Sequence, residues 1–304
     1  MRICSLLPSA TEIAFALGLG DEVVGVTHEC DYPPEAKKRR VVVRSAIDPD
    51  QNASREIDRL VREHLQTKKS IYTIDLASFR KADPDFILTQ DLCEVCAIDY
   101  NEVVEAARSL TRKPKIVSLS PSTLSDVLGD IETVGAAAGR SFEAAGLVTD
   151  LKARIERVRE RTLRSDLRPR VACIEWLDPL YNAGHWVPEM VELAGGIDGF
   201  GKKGERSKEI AWEAVRAFAP EVVALMPCGF DVERAVKESS LLYRLDGWSD
   251  LPAVKSGRVY ALNGSAYFNR SGPRLVDGIE ILAAIVHPEI FSSGVPPEAA
   301  RKVP

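Results

Sequence analysis

Several features of specialised protein classes are missing from this sequence. No apolar run reaches the roughly 18 residues of a membrane-spanning helix, so we predict no membrane span. The 304 residues include only six cysteines, too few for a disulfide framework in a chain of this length. A formal net charge of −5 gives no electrostatic reason to expect a nucleic-acid partner.

The sequence also lacks the common signatures of catalysis. It contains no GxSxG nucleophile motif, no phosphate-binding P-loop, no HExxH metal motif and no glycine-rich dinucleotide fingerprint. Glu12, Asp91 and Asp178 have the chemistry of general acids and bases, but no motif pairs them. We therefore interpret the chain as a binding protein rather than an enzyme.

The first residues do not have the pattern of an export signal. Met1-Arg2-Ile3-Cys4 leads directly into a strand-like segment, without a basic region, an apolar stretch and a cleavage site. We therefore expect a cytoplasmic location, where a reducing environment keeps thiols available to a metal or a ligand.

A long amphipathic segment lies at the midpoint of the chain. Over residues 141–163, apolar side chains recur at Val148, Leu151, Ile155 and Val158, which forms one narrow stripe on a helix. At 1.5 Å per residue, such a helix spans roughly 35 Å. We interpret it as a stiff connection between two lobes, with a surface helix inside one domain as the alternative.

Strand-like and helix-like segments alternate on both sides of this helix. Apolar runs predict strands at 2–7, 23–27, 41–43, 71–74, 86–89, 115–119, 170–174, 222–226 and 258–262. Helical spacing occurs at 11–17, 54–65, 77–82, 102–110, 187–193, 211–218 and 274–285. The alternation predicts α/β lobes with mostly parallel sheets. The predicted organisation is an N-terminal lobe over 1–120, a linker with the long helix over 121–168 and a C-terminal lobe over 169–304.

Parallel sheets bind ligands beyond the carboxyl ends of their strands. In the first half, the residues that follow predicted strands are Ser9 and Thr11, then His28, Glu29 and Cys30, then Cys93 and Cys96. We expect these side chains to share one rim of the sheet.

Two of these segments carry thiols, which raises the hypothesis of a metal site. His28, Cys30, Cys93 and Cys96 would form a four-ligand set of the kind that zinc favours, with iron or a cluster as further candidates. The alternatives are a reversible thiol pair and small residues packed near the start of a helix.

In the second half, residues 175–186 are rich in aromatic and polar side chains and are predicted to form a loop. Trp176 and Tyr181 either stack on a ligand or fill space between the lobes. His185 is either an axial ligand of cobalt or iron, since neutral imidazole is a common metal ligand, or a loop residue that caps the next helix.

The two halves of the chain share weak internal sequence similarity at two places, which we call the sequence echo. Residues 79–89 (FRKADPDFILT) resemble residues 215–225 (VRAFAPEVVAL), each with a helix end, a proline-acid turn and a strand. Residues 11–23 (TEIAFALGLGDEV) likewise resemble residues 188–200 (PEMVELAGGIDGF). The echo favours two similar lobes that face each other across a cleft.

Motifs spread over nearly the whole chain resemble one known family. They are SLLPSATEIAFALG at 5–18, VVGVTHECDYPPEA at 23–36, WLDPLYNAGHWVPEMVELAGG at 176–196 and AYFNRSGPRLVDGI at 266–279. They resemble the class III, or helical-backbone, substrate-binding proteins, and most of all their vitamin B12-binding branch. The resemblance implies two Rossmann-like α/β lobes, a long rigid connecting helix and a ligand cleft between the lobes.

The resemblance also implies site residues. The family's cleft positions fall on Glu29, Tyr181, Tyr267, Phe268 and Arg270. Aromatic faces suit the apolar ring of a corrin, while arginine and polar groups suit its amide side chains or a phosphate.

A further implication concerns a partner. Receptors of this family dock on an ABC permease through one exposed glutamate in each lobe. Glu213 occupies the second of these positions, whereas Ala77 occupies the first.

The sequence therefore predicts a non-catalytic, cytoplasmic binder of a corrinoid, that is, a cobalamin-like metal chelate. The alternatives are a metal-binding protein that holds zinc, iron or a cluster, and a redox or metal-dependent enzyme on the same scaffold. The predicted ligand-binding residues are Ser9, Thr11, Glu29, Trp176, Tyr181, His185, Tyr267, Phe268 and Arg270.

Overall fold

The computed structural model of the chain describes residues 1–67, 70–91, 98–291 and 294–304. These residues form two compact units, each built on its own β-sheet, which confirms the predicted α/β class. The first unit contains Met1–Pro121, Ser125–Thr149 and Ser271–Pro273, and the second contains Ser122–Leu124, Asp150–Arg270 and Arg274–Pro304.

The sheet of the first unit is mostly parallel, as predicted. Its strands are β1 (Ile3–Ser5), β2 (Val23–Thr27), β3 (Arg40–Ser45), β4 (Tyr72–Ile74), β5 (Phe86–Gln90) and β6 (Lys115–Leu119). Their order across the sheet is β4-β3-β2-β1-β5-β6, and only the β3–β4 pair is antiparallel among the pairings of these strands. The α-helices between the strands are α1 (Pro8–Ala16), α2 (Ser54–Gln66), α3 (Leu76–Ala82) and α4 (Tyr100–Arg108), and α5 (Leu124–Ala138) follows β6.

The central strands of this sheet are apolar because both of their faces are covered. Every residue of β1 and of β5 is buried, as expected for parallel strands with helices on both sides. Gly25 in β2 gives the Cys4 side chain its space, since a Cβ at Gly25 would lie 2.5 Å from the Cys4 Sγ. Burial raises the pKa of the Cys4 thiol to about 12, so this cysteine is a core residue.

The long helix predicted over 141–163 is present as α6 (Ser141–Thr162), which has 22 residues. Val148, Leu151 and Val158 of the predicted stripe are buried, together with Thr162 one turn later. The division between the two units falls within α6, between Thr149 and Asp150, whereas the sequence assigns the whole helix to a linker. In the described part of the chain, no helix combines the length and apolar character needed to cross a membrane.

The second unit repeats the parallel arrangement with antiparallel additions. Its strands are β7 (Arg170–Leu177), β8 (Leu180–Asn182), β9 (Ile197–Asp198), β10 (Val222–Leu225), β11 (Val259–Leu262) and β12 (Ala300–Lys302). The order is β12-β11-β10-β7-β8, with β9 also paired to β7, and β8 and β12 are antiparallel to their neighbours. The helices are α7 (Val187–Leu193), α8 (Trp212–Phe218), α9 (Val232–Glu238), α10 (Pro252–Lys255), α11 (Gly264–Tyr267) and α12 (Leu275–Val286).

The predicted loop at 175–186 is wrong in its first half. β7 continues to Leu177, and β8 returns beside it so that Trp176 pairs with Tyr181. A cross-strand pair of aromatic side chains stabilises such a hairpin. Trp176 and Tyr181, whose polar neighbours suggested a loop, form this pair.

In the first unit, one arginine ties the first strand to the helix end beside it. The Arg2 backbone N–H donates to Asp85 Oδ1 at 2.8 Å, and Arg2 Nε donates to the carbonyl oxygens of Ala82 and Asp83 at 3.0 and 3.2 Å. A cation at the C-terminal end of a helix satisfies exposed carbonyls and the helix dipole together. Arg2 therefore braces the end of α3 against β1 and β5.

The second unit contains the same brace at Arg170. Its backbone N–H donates to Glu221 Oε2 at 3.0 Å, and its Nε donates to the Ala219 carbonyl oxygen at 3.0 Å. Ala219 ends α8 with φ +49°, as Asp83 ends α3 with φ +39°. These shared contacts confirm that the sequence echo between 79–89 and 215–225 reflects a repeated structural unit.

The second echo is also structural. Gly18 (φ +72°) follows α1 and Gly195 (φ +79°) follows α7, the left-handed conformation that glycine accepts without strain. In both units the next amide N–H donates back to the last helical turn, from Leu19 to Ala14 and from Gly196 to Val191, each at 2.9 Å.

Candidate functional site

The carboxyl ends of the parallel strands were the predicted position of functional side chains, and in the first unit three strands bring polar groups there. Glu29 and His28 follow β2, Gln90 ends β5, and Tyr72 begins β4. Because β4 is antiparallel to β3 and Tyr72 pairs with Ser45 at the end of β3, Tyr72 also lies at this edge.

Thr11 and Cys30 meet below this edge, inside the unit. The Thr11 Oγ1 donates to Ser5 Oγ at 2.8 Å and lies 3.1 Å from the Cys30 Sγ, which is also 3.3 Å from Thr27 Oγ1. Both Thr11 and Cys30 are buried. The structure therefore packs the Thr11 and Cys30 side chains inside the unit, and their predicted contacts to a ligand and a metal stay predictions.

Ser9 is a second residue of the α1 start whose side chain is buried. Its Oγ accepts a hydrogen bond from Ser271 Oγ at 3.3 Å. Ser271 belongs to the short segment 271–273 that is part of the first unit. The predicted Ser9 therefore anchors this segment beside α1, close to the buried carboxyl of Glu12, which lies 3.2 Å from the position of a Cβ on Gly272.

Glu29 is the partly exposed acid of the first unit's edge. The Tyr72 hydroxyl donates to Glu29 Oε1 at 3.4 Å, and His28 Nε2 lies 4.0 Å from the same oxygen. The side chains of His28 and Glu29 are 27% and 37% exposed, so both can meet a ligand, while Tyr72 is buried. Acid, imidazole and phenol together accept and donate hydrogen bonds, as recognition of a polar ligand periphery requires.

The predicted metal set does not assemble from the described residues. Cys93 and Cys96 lie outside them, and Cys30 is buried against two threonine hydroxyls while the His28 side chain is partly exposed. Among the residues that the structure describes, no cluster of three or more His, Cys, Asp or Glu side chains has the arrangement of a metal site. The four-ligand site stays a prediction.

In the second unit, Trp176 stands at the carboxyl edge of the sheet. Its ring lies 5.3 Å from that of Phe230, centroid to centroid, and it is only partly buried. The neighbouring Glu175 carbonyl accepts from the Cys228 N–H at 3.0 Å, which joins the ends of β7 and β10. The Trp176 Nε1 is buried, and the described residues offer it no hydrogen-bond acceptor.

Tyr181 and His185 lie on a ribbon that is held by a second chain segment. Tyr181 pairs with Glu209 in a β-bridge, and the His185 N–H donates to the Glu205 carbonyl oxygen at 2.6 Å. Gly184 permits this approach, because a Cβ there would lie 2.3 Å from the Ser207 nitrogen.

The His185 backbone has φ +53°, a left-handed conformation that is uncommon for a non-glycine residue. Its ring lies 5.4 Å from that of Trp186, and burial, followed by the charge of Arg206, lowers the pKa of the imidazole. Burial and the Arg206 charge therefore both favour the neutral imidazole, the form that can coordinate a metal. The structure places this ring beside Trp186, and the predicted metal contact stays a prediction.

The segment after β11 carries the remaining predicted residues. Asn263 caps α11 by accepting from the Ala266 N–H at 2.9 Å, and Gly264 allows close packing because a Cβ there would lie 2.5 Å from both the Asn269 Oδ1 and the Pro227 carbonyl oxygen. The Tyr267 ring at the end of this helix is partly buried and lies 5.6 Å from the Arg274 guanidinium carbon.

Phe268 differs from its neighbour Tyr267 because it packs inward. Its side chain is only 1% exposed, and its carbonyl oxygen accepts from the Trp186 Nε1 at 2.7 Å. The structure therefore buries Phe268, and its predicted contact with a ligand stays a prediction. Phe268 and Trp186 instead fix the segment that presents Tyr267 and the partly exposed Arg270.

The two positions that resemble permease-docking sites occupy equivalent places in their units. Ala77 is exposed in the first turn of α3, and Glu213 is exposed in the first turn of α8. The nearby Asp75 is committed to capping α3, since its Oδ1 accepts from the N–H groups of Ala77 and Ser78 at 3.0 and 3.1 Å. Glu213 also lines a surface concavity of about 410 Å³.

Sequence reasoning missed Tyr72 and Asn269. Tyr72 lies in an apolar run that predicts a buried strand, and only its antiparallel pairing brings it to the carboxyl edge. Asn269 Nδ2 donates to the Met226 carbonyl oxygen at 3.5 Å, which links the segment after β11 to the end of β10. Its position between an aromatic pair and an arginine was the available signal.

Comparison with known proteins adds four findings. A family model described as "Periplasmic binding protein" matches residues 3–266. An uncharacterized ABC transporter substrate-binding lipoprotein, YvrC of Bacillus subtilis, is 29% identical over 95% of this chain and 81% of the relative. A vitamin B12-binding protein of Vibrio cholerae is 26% identical over 92% of this chain and 86% of the relative. The structure of the periplasmic heme-binding protein RhuT from Roseiflexus superposes with a TM-score of 0.70 at 24% identity, over 95% of this chain and 98% of that one.

Proposed function

The chain belongs to the periplasmic binding protein family, and from that premise we propose that it binds a corrinoid, a cobalamin-like metal chelate. Ligand binding without catalysis, of the kind that serves ABC transporters, is the function of the family. The corrinoid is the finer part of the proposal, because relatives of this chain carry names that refer to vitamin B12 as well as to heme.

The observation that carries the proposal is the chemistry of the carboxyl edge of the second unit's sheet. Tyr267, Trp176 and Tyr181 are partly exposed aromatic side chains on segments that this edge positions. Flat aromatic faces suit an apolar macrocycle of corrin type. The guanidinium groups of Arg270 and Arg274 in the same region suit a phosphate or an amide oxygen.

The first unit supports the same ligand class through Glu29 and His28. A carboxylate accepts hydrogen bonds from amide N–H groups, which a corrin ring carries on its side chains. The similarity to the Vibrio cholerae vitamin B12-binding protein, which extends over nine tenths of the chain, also supports a corrinoid.

Titration with hydroxocobalamin tests the proposal directly. We expect a change in the visible spectrum and co-elution of the corrinoid with the protein on gel filtration. Tyr267→Ala should weaken binding about 30-fold, since truncation of an aromatic anchor typically costs about 2 kcal/mol. Tyr243→Ala is the matched control, because Tyr243 is an exposed tyrosine of the second unit that packs on Trp248.

The proposal fails if the protein binds haemin but leaves hydroxocobalamin in free solution. It also fails if Tyr243→Ala and Tyr267→Ala weaken binding equally, because the loss would then follow from altered stability rather than from a lost contact.

Partner and location are separate predictions. Docking on an ABC permease through Glu213 is tested by comparing how wild type and Glu213→Gln bind to vesicles that carry the permease, with weaker binding of the variant as the expected result. The cytoplasmic location stays a prediction, and fractionation of cells that produce the protein tests it.

A further inference from the structure

The segment from the middle of α6 to the start of β7 is strongly basic in an acidic protein. Residues 152–170 contain eight lysine and arginine residues and three acidic residues, a net charge of +5, whereas the whole chain has a net charge of −5. All of these residues belong to the second unit. Positive charge that is concentrated in this way produces a local potential that attracts anions.

Two arginines of this segment are available to an external anion. Arg154 and Arg159 are engaged with carboxylates of neighbouring side chains. Arg157 and Arg164 are exposed, and within the described part of the chain no carboxylate lies at ion-pair distance from either of them. Seven residues separate the two, which is about two helical turns, so they project from the same side of the end of α6.

Aliphatic side chains are exposed beside these arginines. Leu163 is 59% exposed, Leu167 is 64% exposed and Ile197 is 48% exposed. The Ile197 N–H donates to the Pro169 carbonyl oxygen at 2.9 Å, which brings the start of β9 beside the turn that carries the leucines. Of the nine large apolar side chains that are exposed among the described residues, three therefore lie in this one region. We call Arg157, Leu163, Arg164, Leu167 and Ile197 the basic-apolar surface.

Hydrogen bonds hold the turn that exposes the two leucines. The Leu167 N–H donates to Ser165 Oγ at 3.2 Å, and Arg168 Nη1 donates to the carbonyl oxygens of Ser165 and Leu167 at 2.8 Å each. Thr162 Oγ1 donates to the Leu193 carbonyl oxygen at 3.1 Å, which joins the end of α6 to the end of α7. The exposure of the leucines therefore belongs to a defined turn with internal contacts.

The combination of cations with exposed aliphatic side chains favours one kind of partner. A nucleic acid or a free phosphate would pair with the arginines but would leave the leucines and the isoleucine in water. At an anionic bilayer, guanidinium groups meet the lipid phosphates while aliphatic side chains enter the boundary between headgroups and acyl chains. An anionic lipid surface therefore satisfies both halves of this chemistry.

We propose that the basic-apolar surface binds the second unit peripherally to membranes that contain anionic lipids. This surface lies at the amino edge of the second unit's sheet, because it precedes β7 and includes the start of β9, which is parallel to β7. The aromatic residues of the proposed ligand site, Trp176 and Tyr267, lie at the opposite, carboxyl edge. Membrane binding is thus separate from ligand binding, and either proposal can fail without the other.

Sedimentation with vesicles tests the proposal on the full chain. We compare vesicles of phosphatidylcholine alone with vesicles of equal parts phosphatidylcholine and phosphatidylglycerol. The wild type should sediment with the anionic vesicles at least tenfold more strongly than with the neutral vesicles, because cations near an anionic surface contribute about fivefold each to binding. Added salt should release the protein, since it screens this attraction.

Two double variants separate the contributions of charge and apolar contact. Arg157→Gln/Arg164→Gln should weaken binding to anionic vesicles about 25-fold, the product of two cations at about fivefold each. Leu163→Gln/Leu167→Gln keeps every charge and should weaken binding about tenfold, because the aliphatic side chains no longer enter the bilayer.

Two control variants make matched changes elsewhere. Lys237→Gln/Arg244→Gln removes two exposed cations in and after α9 of the same unit. Phe142→Gln removes an apolar side chain that is 90% exposed at the other end of α6. Both controls should bind anionic vesicles within about twofold of wild type, since long-range attraction outside the contact is screened. All four variants change exposed side chains, and equal melting temperatures check that they fold as wild type does.

Three results would overturn the inference. One is equal sedimentation of the wild type with neutral and anionic vesicles, or sedimentation with neither. The second is a Leu163→Gln/Leu167→Gln variant that binds as wild type does, which would reduce the surface to a general attraction for anions. The third is retention of duplex DNA by a wild type that leaves anionic vesicles in suspension, which would assign the arginines to a nucleic acid.

Discussion

Replacement of Asp130 by asparagine should remove a loss of stability that the wild type suffers as the pH rises from 4 to 8. Asp130 lies in α5, and its Oδ2 is buried without a hydrogen-bond donor among the described residues. Burial, and to a smaller degree the charge of Asp126, raises the pKa of this carboxyl from 3.8 to about 7. For a fully buried carboxyl, this change in pKa would lower the free energy of unfolding of the ionised form by about 4 kcal/mol. We halve this cost to about 2 kcal/mol because the carboxyl is partly exposed to solvent.

The sign follows from the protonation of the two states. At pH 4 the folded protein keeps its proton on Asp130, and the unfolded chain is still about half protonated, so the variant and wild type should have similar stability. As the pH rises toward 7, the unfolded chain has released this proton while the folded protein still binds it, and the wild-type stability falls. By pH 8, Asp130→Asn should be about 2 kcal/mol more stable than wild type.

Urea denaturation followed by circular dichroism from pH 4 to pH 8 measures this difference. Asp126→Asn is an informative comparison, because removal of the neighbouring charge lowers the pKa of Asp130 and should weaken the pH dependence without abolishing it. The reasoning is refuted if the stability difference between Asp130→Asn and wild type is the same at pH 4 and pH 8.

Three further substitutions probe the elements that position the site. Gly264→Ala should lower the free energy of unfolding by about 2 kcal/mol, because the added Cβ would lie 2.5 Å from a carbonyl oxygen and from an amide oxygen. The same clash should displace Tyr267 and weaken ligand binding. A wild-type melting temperature would contradict this prediction. Trp186→Phe should cost about 2 kcal/mol, since it leaves the buried Phe268 carbonyl without its donor, and thermal unfolding measures the loss. Asp75→Ala should cost about 1 kcal/mol through the lost cap of α3 without changing ligand affinity, and a tenfold weaker affinity would show that the capping role is incomplete.

The sequence predicted best what depends on spacing along one element. The stripe of Val148, Leu151 and Val158 is buried on α6 as the 3-4 spacing requires, because a long helix has one periodicity and few competing arrangements. The ends of α1 and α7 follow from Gly18 and Gly195 in the same local way. The repeat between the halves was visible because helix end, turn and strand recur in the same order.

The sequence predicted less well which way a side chain points at a sheet edge. Thr11 and Phe268 belong to motifs of the site, yet both side chains are buried, because Thr11 lies on helix α1 and Phe268 ends helix α11, and the packing of each helix decides which of its side chains face inward. Tyr72 reaches the edge only through the antiparallel pairing of β4, which depends on contacts with β3 that are distant in sequence. The sequence could therefore predict which segments lie at the edge of each sheet. It could not predict which side chains of those segments face outward, because that depends on contacts between residues distant in the sequence.

The same arginine contacts occur twice in this protein, so one interaction can be measured at two positions of the same molecule. Arg2 and Arg170 make the same pair of contacts, a backbone bond to an acid and a guanidinium bond to a helix end, within different surroundings. Matched replacements at the two sites would compare one interaction in two contexts at the same concentration, pH and temperature. A difference between them would measure what the surrounding packing contributes, a quantity that usually has to be inferred across separate proteins.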